Sequence, residues 1–160
     1  MKRIITHPRI WPYVSDDFAG EPETWRPLEN PGIWYVLVRE AAAPAQPDEV
    51  RGLFTFLPQN AICWEVHTAL LPSAWRTTAS EEIARELLQW VWRETPCQRI
   101  VTNVPGCNTK ALEYAEKCGM KQFGINNGSY QKDGRLHDQI LLGISRPQET
   151  SRRQEDRTCH

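Results

Sequence analysis

The stretch "AICWEVHTALLPSAWRTTASEEIARELLQWVW", Ala61–Trp92, changes period halfway along. In Ala61–Leu71 apolar, aromatic and β-branched residues alternate with polar ones, the period-two pattern of a strand. Alternation puts Ile62, Trp64, Val66 and Thr68 on one face and Cys63, Glu65 and His67 on the other. The first set is mostly apolar and faces a core. Beyond "PSAWRTT" the spacing becomes helical: Ile83, Ala84, Leu87, Leu88 and Val91 form one apolar stripe, and Pro96 marks its limit. "QRIVTNV", Gln98–Val104, is again a strand. "NTKALEYAEKCGM", Asn108–Met120, follows as a second helix with Ala111, Leu112, Ala115 and Cys118 on its apolar side, stopped at Gly119.

Working outward, Trp34–Glu40 ("WYVLVRE") and Val50–Leu57 ("VRGLFTFL") read as strands, separated by the proline-bearing loop "AAAPAQPDE". "PQN" after Leu57 is of hairpin length, so the strands on either side of it are antiparallel neighbours. The first 30 residues are punctuated by prolines and Gly20. They read as a short strand at Arg3–Thr6, then helical turns and loops. "KQFGINN" and "HDQILLGIS" are closing strands joined through "GSYQKDGRL", where Asp133-Gly134 signals a turn. The order is β, short helices, three strands, α, β, α, two strands: a mixed α/β layer. Residues 1–146 read as one domain, and 147–160, almost without apolar content, as a flexible tail.

With 160 residues the chain is long enough for one core. A net charge of −1 gives no basic field for nucleic acid. No apolar run approaches the ~20 residues that span a bilayer, and the basic start "MKRIITHPRIW" lacks the apolar centre of a signal peptide. The expected setting is therefore the cytoplasm, without a membrane partner. The 5 cysteines are widely spaced with no CxxC pair, the pattern of free thiols rather than a disulfide framework or a zinc site. Cys107 sits at a helix start but has no base beside it in sequence.

"ICWEVHTALLP", "WRTTASEEIARELLQWVW", "RIVTNVP" and "NTKALEYAEKCGM", in that order, resemble the GNAT N-acetyltransferases over about Trp34–Arg146. The last carries the family's N-x-x-A…E-K-x-G-(hydrophobe) cadence. "DGRLHDQILLGISR" is similar to the closing hairpin of the branch that acetylates protein N-termini. "VHTALLPSAWR" and "VPGCNTKALEYAEKCGM" resemble small GNAT-like proteins of tailed bacteriophages. The resemblance implies a mixed, mostly antiparallel sheet with helices on both faces and a splay between two parallel central strands. It implies acetyl-CoA as co-substrate, with no metal. The pantetheine would pair with backbone at Thr68, Ala69 and Leu70. The pyrophosphate would meet the following helix start at Arg76, Thr77, Thr78, Ala79 and Ser80. Asn108 matches the family asparagine that contacts the cofactor, and an asparagine there is equally a helix N-cap.

The implied reaction is direct acetyl transfer to a primary amine, on a small molecule or a protein N-terminus, with Glu65 or His67 as general base. Trp11, Trp25 and Trp75 are candidates to line the acceptor groove. Two features depart from the family pattern. Its phosphate loop, Q/R-x-x-G-x-G/A, here reads R-T-T-A-S-E from Arg76, and "TASE", Thr78–Glu81, fits a capping box that uses the helix N–H groups itself. The tyrosine that protonates the departing thiolate is replaced by Ala115, with Tyr114 turned ~100° away. These departures leave open a catalytically degenerate GNAT-fold bacteriophage protein acting in virion assembly or DNA delivery, with a homodimer or a virion protein as partner. Deleting Thr150–His160 should leave the melting temperature within about 2 °C of the full chain; a drop above ~4 °C would show that the tail packs.

Overall fold

A computed structural model describes residues 1–40, 49–75 and 77–148. The proline loop at 41–48, Arg76, and the tail from residue 149 onward lie outside the described residues. The strands are β1 (Trp34–Glu40), β2 (Glu49–Pro58), β3 (Cys63–Leu70), β4 (Arg99–Pro105), β5 (Lys121–Lys132) and β6 (Arg135–Ser145). They form one sheet in the order β1-β2-β3-β4-β6-β5. Neighbours are antiparallel except β3 and β4, which run parallel. The helices are α1 (Lys2–Ile5), α2 (Trp11–Val14), α3 (Thr78–Glu94) and α4 (Thr109–Lys117). This is the GNAT-like α/β arrangement that the resemblance implies.

The alternation along β3 sorts Trp64 and Val66 to the core as expected, but Ile62, expected with them, is 56% exposed because the Asn60 side chain holds it in the turn before β3 begins at Cys63. Trp64 and Val66 are buried with Phe56, Ile100 and Leu142 against Leu88 and Val91 of α3 and Ala115 of α4. On the other face Leu53 and Ala69 pack on Ile4 and Ile10 from the N-terminal segment. Helical segments therefore cover both faces. Full burial of side chains such as Phe56 and Ile100 contributes roughly 1.5–3 kcal/mol each. Trp34 stands edge-on to Trp64, with ring centroids 4.8 Å apart, and links the edge strand to this core.

Local chemistry sets the boundaries. Asn60 Oδ1 accepts the N–H groups of Ile62 (3.0 Å) and Cys63 (2.9 Å), closing the β2–β3 hairpin. α4 ends in a left-handed glycine: Gly119 has φ 94°, its N–H reaches Glu116 O, and Met120 N–H reaches Ala115 O. Asp133 and Gly134, with φ 52° and 70°, make the β5–β6 turn. Positive φ at both central residues suits a two-residue hairpin. The connection expected around this turn is itself mostly strand, since β5 continues to Lys132 and β6 begins at Arg135.

Arg3–Thr6, read from the sequence as a strand, is instead the end of α1 and its C-cap, Thr6. The Thr6 hydroxyl donates to Lys2 O at 2.9 Å and closes the turn. A helical turn lets Ile4 and Ile5 both reach the Leu53–Ala69 face, which the alternation of a strand would forbid. Tertiary packing thus overrides the β-branched preference of "RIIT".

At Gly52, opposite Leu70, an added Cβ would lie 2.7 Å from Leu70 Cδ2 and 2.9 Å from Ala69 O. Gly52→Ala should cost about 1–3 kcal/mol by overpacking and lower the melting temperature by roughly 3–10 °C in a thermal scan.

Candidate functional site

β3 and β4 pair at three positions only: Cys63–Arg99, Trp64–Ile100 and Glu65–Val101. Beyond Glu65 they diverge, while β3 stays paired to β2 as far as Leu70 and β4 to β6 as far as Pro105. Leu71 N–H donates to Arg51 O (2.8 Å) and Gln59 N–H to Cys63 O (3.0 Å), which fixes the phase of the β2–β3 ladder. In such a ladder alternate residues exchange hydrogen bonds with the partner strand. His67 and Ala69 therefore direct their backbone groups toward β2. Val66, Thr68 and Leu70 direct theirs toward the gap. Of the three residues expected to hold pantetheine, Thr68 and Leu70 offer backbone to the gap and Ala69 does not. The Leu70 carbonyl already accepts the Trp75 indole N–H at 2.7 Å.

A cavity of about 1260 Å³ occupies this opening. His67, Thr68, Ala69, Leu70, Thr77, Ser80 and Asn108 all line it, as do Trp11, Trp25 and Trp75. Thr78 and Ala79 are exposed at the start of α3 and do not form its wall. Glu65 also stands outside it and lines a smaller depression with Cys63 and Arg99. Among the described residues no group of three His, Cys, Asp or Glu side chains is placed to hold a metal.

The capping of α3 differs from the expected Thr78–Glu81 box. Thr77 is the N-cap: its hydroxyl accepts Ser80 N–H at 3.3 Å, and Ser80 Oγ donates back to Thr77 O at 2.8 Å. The cap lies one residue earlier because Thr77 is extended (φ −108°, ψ 138°) while Thr78 is already helical. Two consequences follow for an anion. The N–H groups of Thr78 and Ala79 donate to no acceptor among the described residues. Glu81 turns away from the N–H groups and pairs with Arg85 (3.4 Å) and Lys117 (3.9 Å).

At the start of α4, Asn108 is an N-cap: Oδ1 accepts Ala111 N–H at 3.3 Å. Its Nδ2 reaches Tyr13 O at 3.5 Å, tying the N-terminal segment to this helix. Lys110 Nζ bonds the Tyr13 hydroxyl (3.4 Å) and lies 5.7 Å from the Trp75 ring centre. Arg9 lies over the same indole at 4.9 Å. These residues escaped the sequence reading because Tyr13 and Lys110 are 97 residues apart and no local pattern marks either. Tyr114 also lines the cavity, but its hydroxyl donates to Ser80 O at 2.9 Å, and burial pushes its pKa far above the usual phenol range. It braces α4 against the start of α3.

Glu65 and His67 form a pair, with Oε1 and Nε2 3.1 Å apart, and Gln59 Nε2 donates to the other carboxylate oxygen at 3.2 Å. The His67 hydrogen bond is the main cause that holds the Glu65 carboxyl below its ordinary 4.5. His67, whose side chain is 49% exposed, faces the cavity, and Glu65 stands behind it.

The chain matches the family model "Acetyltransferase (GNAT) domain" over residues 3–121. Comparison with curated protein sequences finds no match. Among solved structures, a variant of spermidine N-acetyltransferase SpeG from Vibrio cholerae superposes with a TM-score of 0.63 at 18% identity, over 73% of this chain and 68% of that one. The same enzyme in complex with CoA and spermine gives 0.63 and 18%, over 72% and 66%. A GNAT-family acetyltransferase from Bacillus anthracis gives 0.54 and 20%, over 60% and 58%. At these identities the likeness is one of fold.

Two outcomes test this geometry. Thr77→Ala should destabilise the protein by about 1 kcal/mol in urea unfolding, whereas Thr78→Ala should stay within about 0.5 kcal/mol. Because the Glu65 carboxyl titrates lower in the folded protein than in the unfolded chain, its pairing stabilises fully above the ordinary 4.5. That contribution disappears as the pH falls through the depressed folded value. The stability gap between wild type and Glu65→Gln should therefore narrow on acidification below pH 4.5; a gap that widens contradicts the pairing.

Proposed function

The chain belongs to the GNAT acetyltransferase family, and from that premise we propose that it moves an acetyl group from acetyl-CoA to a primary amine by direct attack in a ternary complex. The observation that carries this reading is the early divergence of β3 and β4, with a cavity in the gap. In this reading the pantetheine arm lies along Val66–Leu70 and pairs with the gap-facing backbone of Thr68 and Leu70. The pyrophosphate meets the start of α3, where Thr78 and Ala79 present open N–H groups beside the closed Thr77–Ser80 cap and the helix dipole favours an anion. Arg76 and Asn108 complete the binding set. Polyamine and CoA bound together in the Vibrio cholerae enzyme support the pairing of an acyl donor with an amine acceptor.

His67 accepts a proton from the incoming ammonium, with Glu65 steadying the imidazolium that results. The free amine attacks the thioester carbonyl carbon and the C–N bond forms; the nitrogen of the tetrahedral intermediate gives its extra proton to solvent, and the C–S bond breaks as the intermediate collapses. The CoA thiolate takes its proton from solvent, because the Tyr114 hydroxyl is committed to Ser80 O and Ala115 is buried. Holding amine and thioester together supplies much of the rate.

A second reading, a degenerate GNAT fold serving a bacteriophage virion, draws on Ala79 and Glu81 standing where the family has small residues and glycine. Calorimetry with acetyl-CoA separates the two. The transferase reading expects micromolar affinity, about 8 kcal/mol, and a rise in melting temperature by ligand linkage. Glu81→Gln removes a negative charge and releases Arg85 and Lys117 toward the pyrophosphate. It should tighten binding several-fold while changing the stability of the free protein by less than about 1 kcal/mol. Neither heat nor a melting shift at millimolar acetyl-CoA, in wild type and Glu81→Gln alike, would sink the transferase reading.

A further inference from the structure

Resting on the acetyl-transfer reading, we propose that the acceptor is a small monoamine carried on an aromatic or apolar body, and that polyamines are poor acceptors. The argument begins from strand register. Tyr35 pairs with Thr55, and Thr55 with His67, so the three side chains form a row on one face. Strands lie ≈ 4.8 Å apart, so this row makes a floor of about 10 Å leading away from the imidazole. All three residues line the cavity, and Trp11, Trp25 and Leu57 line it with them. Tyr35 spends its hydroxyl on Leu28 O at 3.1 Å and presents its ring. An amine beside His67 would thus lay its body along indole, phenol and aliphatic surface, the kind of wall that binds a flat apolar ligand.

The charges on this wall exclude a polycation. Of the acidic residues lining the cavity, Glu81 belongs to α3 and Glu113 to α4, both packed against the opposite face of the sheet. Among the described residues the charged side chains that line the acceptor side are Arg9 and Arg26, with Lys110 facing Tyr13 and Trp75, while the nearby Asp17 carboxylate is taken up by the Asp133 and Gly134 N–H groups. Glu65 is already held by His67 and Gln59. Spermidine carries about three positive charges at neutral pH, and deprotonating one amine for attack leaves two to be desolvated here without a free lining carboxylate among the described residues. Cation–π attraction offsets only ~0.5–1 kcal/mol at exposed rings. Two of the available rings are already faced by cations, Trp75 by Arg9 and Tyr13 by Lys110.

Size is restricted as well. The N-terminal segment is stitched to the tip of the β5–β6 hairpin beside the chamber. Tyr130 Oη donates to Ser15 O at 2.6 Å, and Lys132 Nζ donates to the same carbonyl at 2.9 Å. Asp17 accepts the N–H groups of Asp133 and Gly134, both at 2.8 Å. This clasp continues the wall from the N-terminal segment onto the hairpin and favours a small acceptor over the N-terminus of a polypeptide.

The test compares initial rates of the full chain at saturating acetyl-CoA with 2-phenylethylamine, spermidine and an unblocked tetrapeptide. We expect kcat/KM for 2-phenylethylamine to exceed that for spermidine by about 100-fold, and to exceed that for the peptide. A carboxylate placed in the floor by Thr55→Glu should lower the phenylethylamine-to-spermidine ratio at least about tenfold. Leu28→Glu, at the 64% exposed rim of the same chamber, should move the ratio in the same direction without a folding penalty. Equal or better use of spermidine, a preferred peptide, or a ratio unmoved by both variants would overturn the proposal. Calorimetric heat with acetyl-CoA but no turnover of 2-phenylethylamine overturns the acceptor class alone. Absence of that heat removes the transferase reading and the acceptor class together.

Discussion

The parallel contact between β3 and β4 ends after three residue pairs, and the rest of the structure depends on that early ending. Each strand has a stronger commitment elsewhere: β3 is paired with β2 over seven positions and β4 with β6 over seven. The sheet is therefore two antiparallel halves, β1-β2-β3 and β4-β6-β5, hinged along a short parallel seam. Each half follows its own ladder and twist, so the halves separate where the seam stops. The separation has a cost, since gap-facing backbone groups lose the partners a full ladder would supply. The Trp75 indole offsets part of it by donating to Leu70 O. The remaining groups are the ones that the acetyl-transfer reading assigns to the pantetheine arm.

The start of α3 meets this slot with its polar groups in order. Thr77 and Ser80 close the cap on each other, and the Tyr114 hydroxyl fixes the Ser80 carbonyl from α4. Glu81 is drawn sideways by Arg85 and Lys117, and Arg85 also donates to Lys117 O at 2.8 Å. The helix start is thus braced on its α4 side while the Thr78 and Ala79 N–H groups are left unpaired among the described residues. Under the acetyl-transfer reading the pyrophosphate would need no glycine-rich loop here, because Glu81, the side chain that would compete for these N–H groups, is engaged with Arg85 and Lys117. Ala79 adds one methyl group, at an exposed position.

Much of this was legible in the sequence because periodicity is a local property. The switch from period two to helical spacing after Leu71 located β3 and α3, and the alternation along β3 assigned Trp64 and Val66 to the core and Glu65 and His67 to the other face. Asp133-Gly134 and Gly119 marked their turns through backbone chemistry that few other residues tolerate. The misplaced cap shows the limit of a motif: Thr77 and Thr78 are equivalent in sequence, and the backbone chooses between them. α1 shows the limit of propensity, since "RIIT" is helical only because Leu53 and Ala69 offer a surface for both isoleucines. Tyr13, Lys110 and Tyr130 were invisible because their roles exist only once the chain brings residues about a hundred apart into contact.

The N-terminal segment connects these parts. It touches α4 through Tyr13, the β5–β6 hairpin through Ser15 and Asp17, and the sheet through Ile4 and Ile10. It covers the face that carries His67, whereas α3 and α4 pack on the opposite face. Under the acetyl-transfer reading, donor and acceptor therefore approach from different sides of one sheet. They can meet only where the sheet is open, in the slot beside Thr68. In that reading a thioester lying in the plane of the sheet would be open to direct attack by an amine from the His67 face. The same segment that shields the acceptor chamber brings in the aromatic Trp11 and the cationic Arg9. A single stretch of chain thereby both walls the site and sets the charge an acceptor meets there.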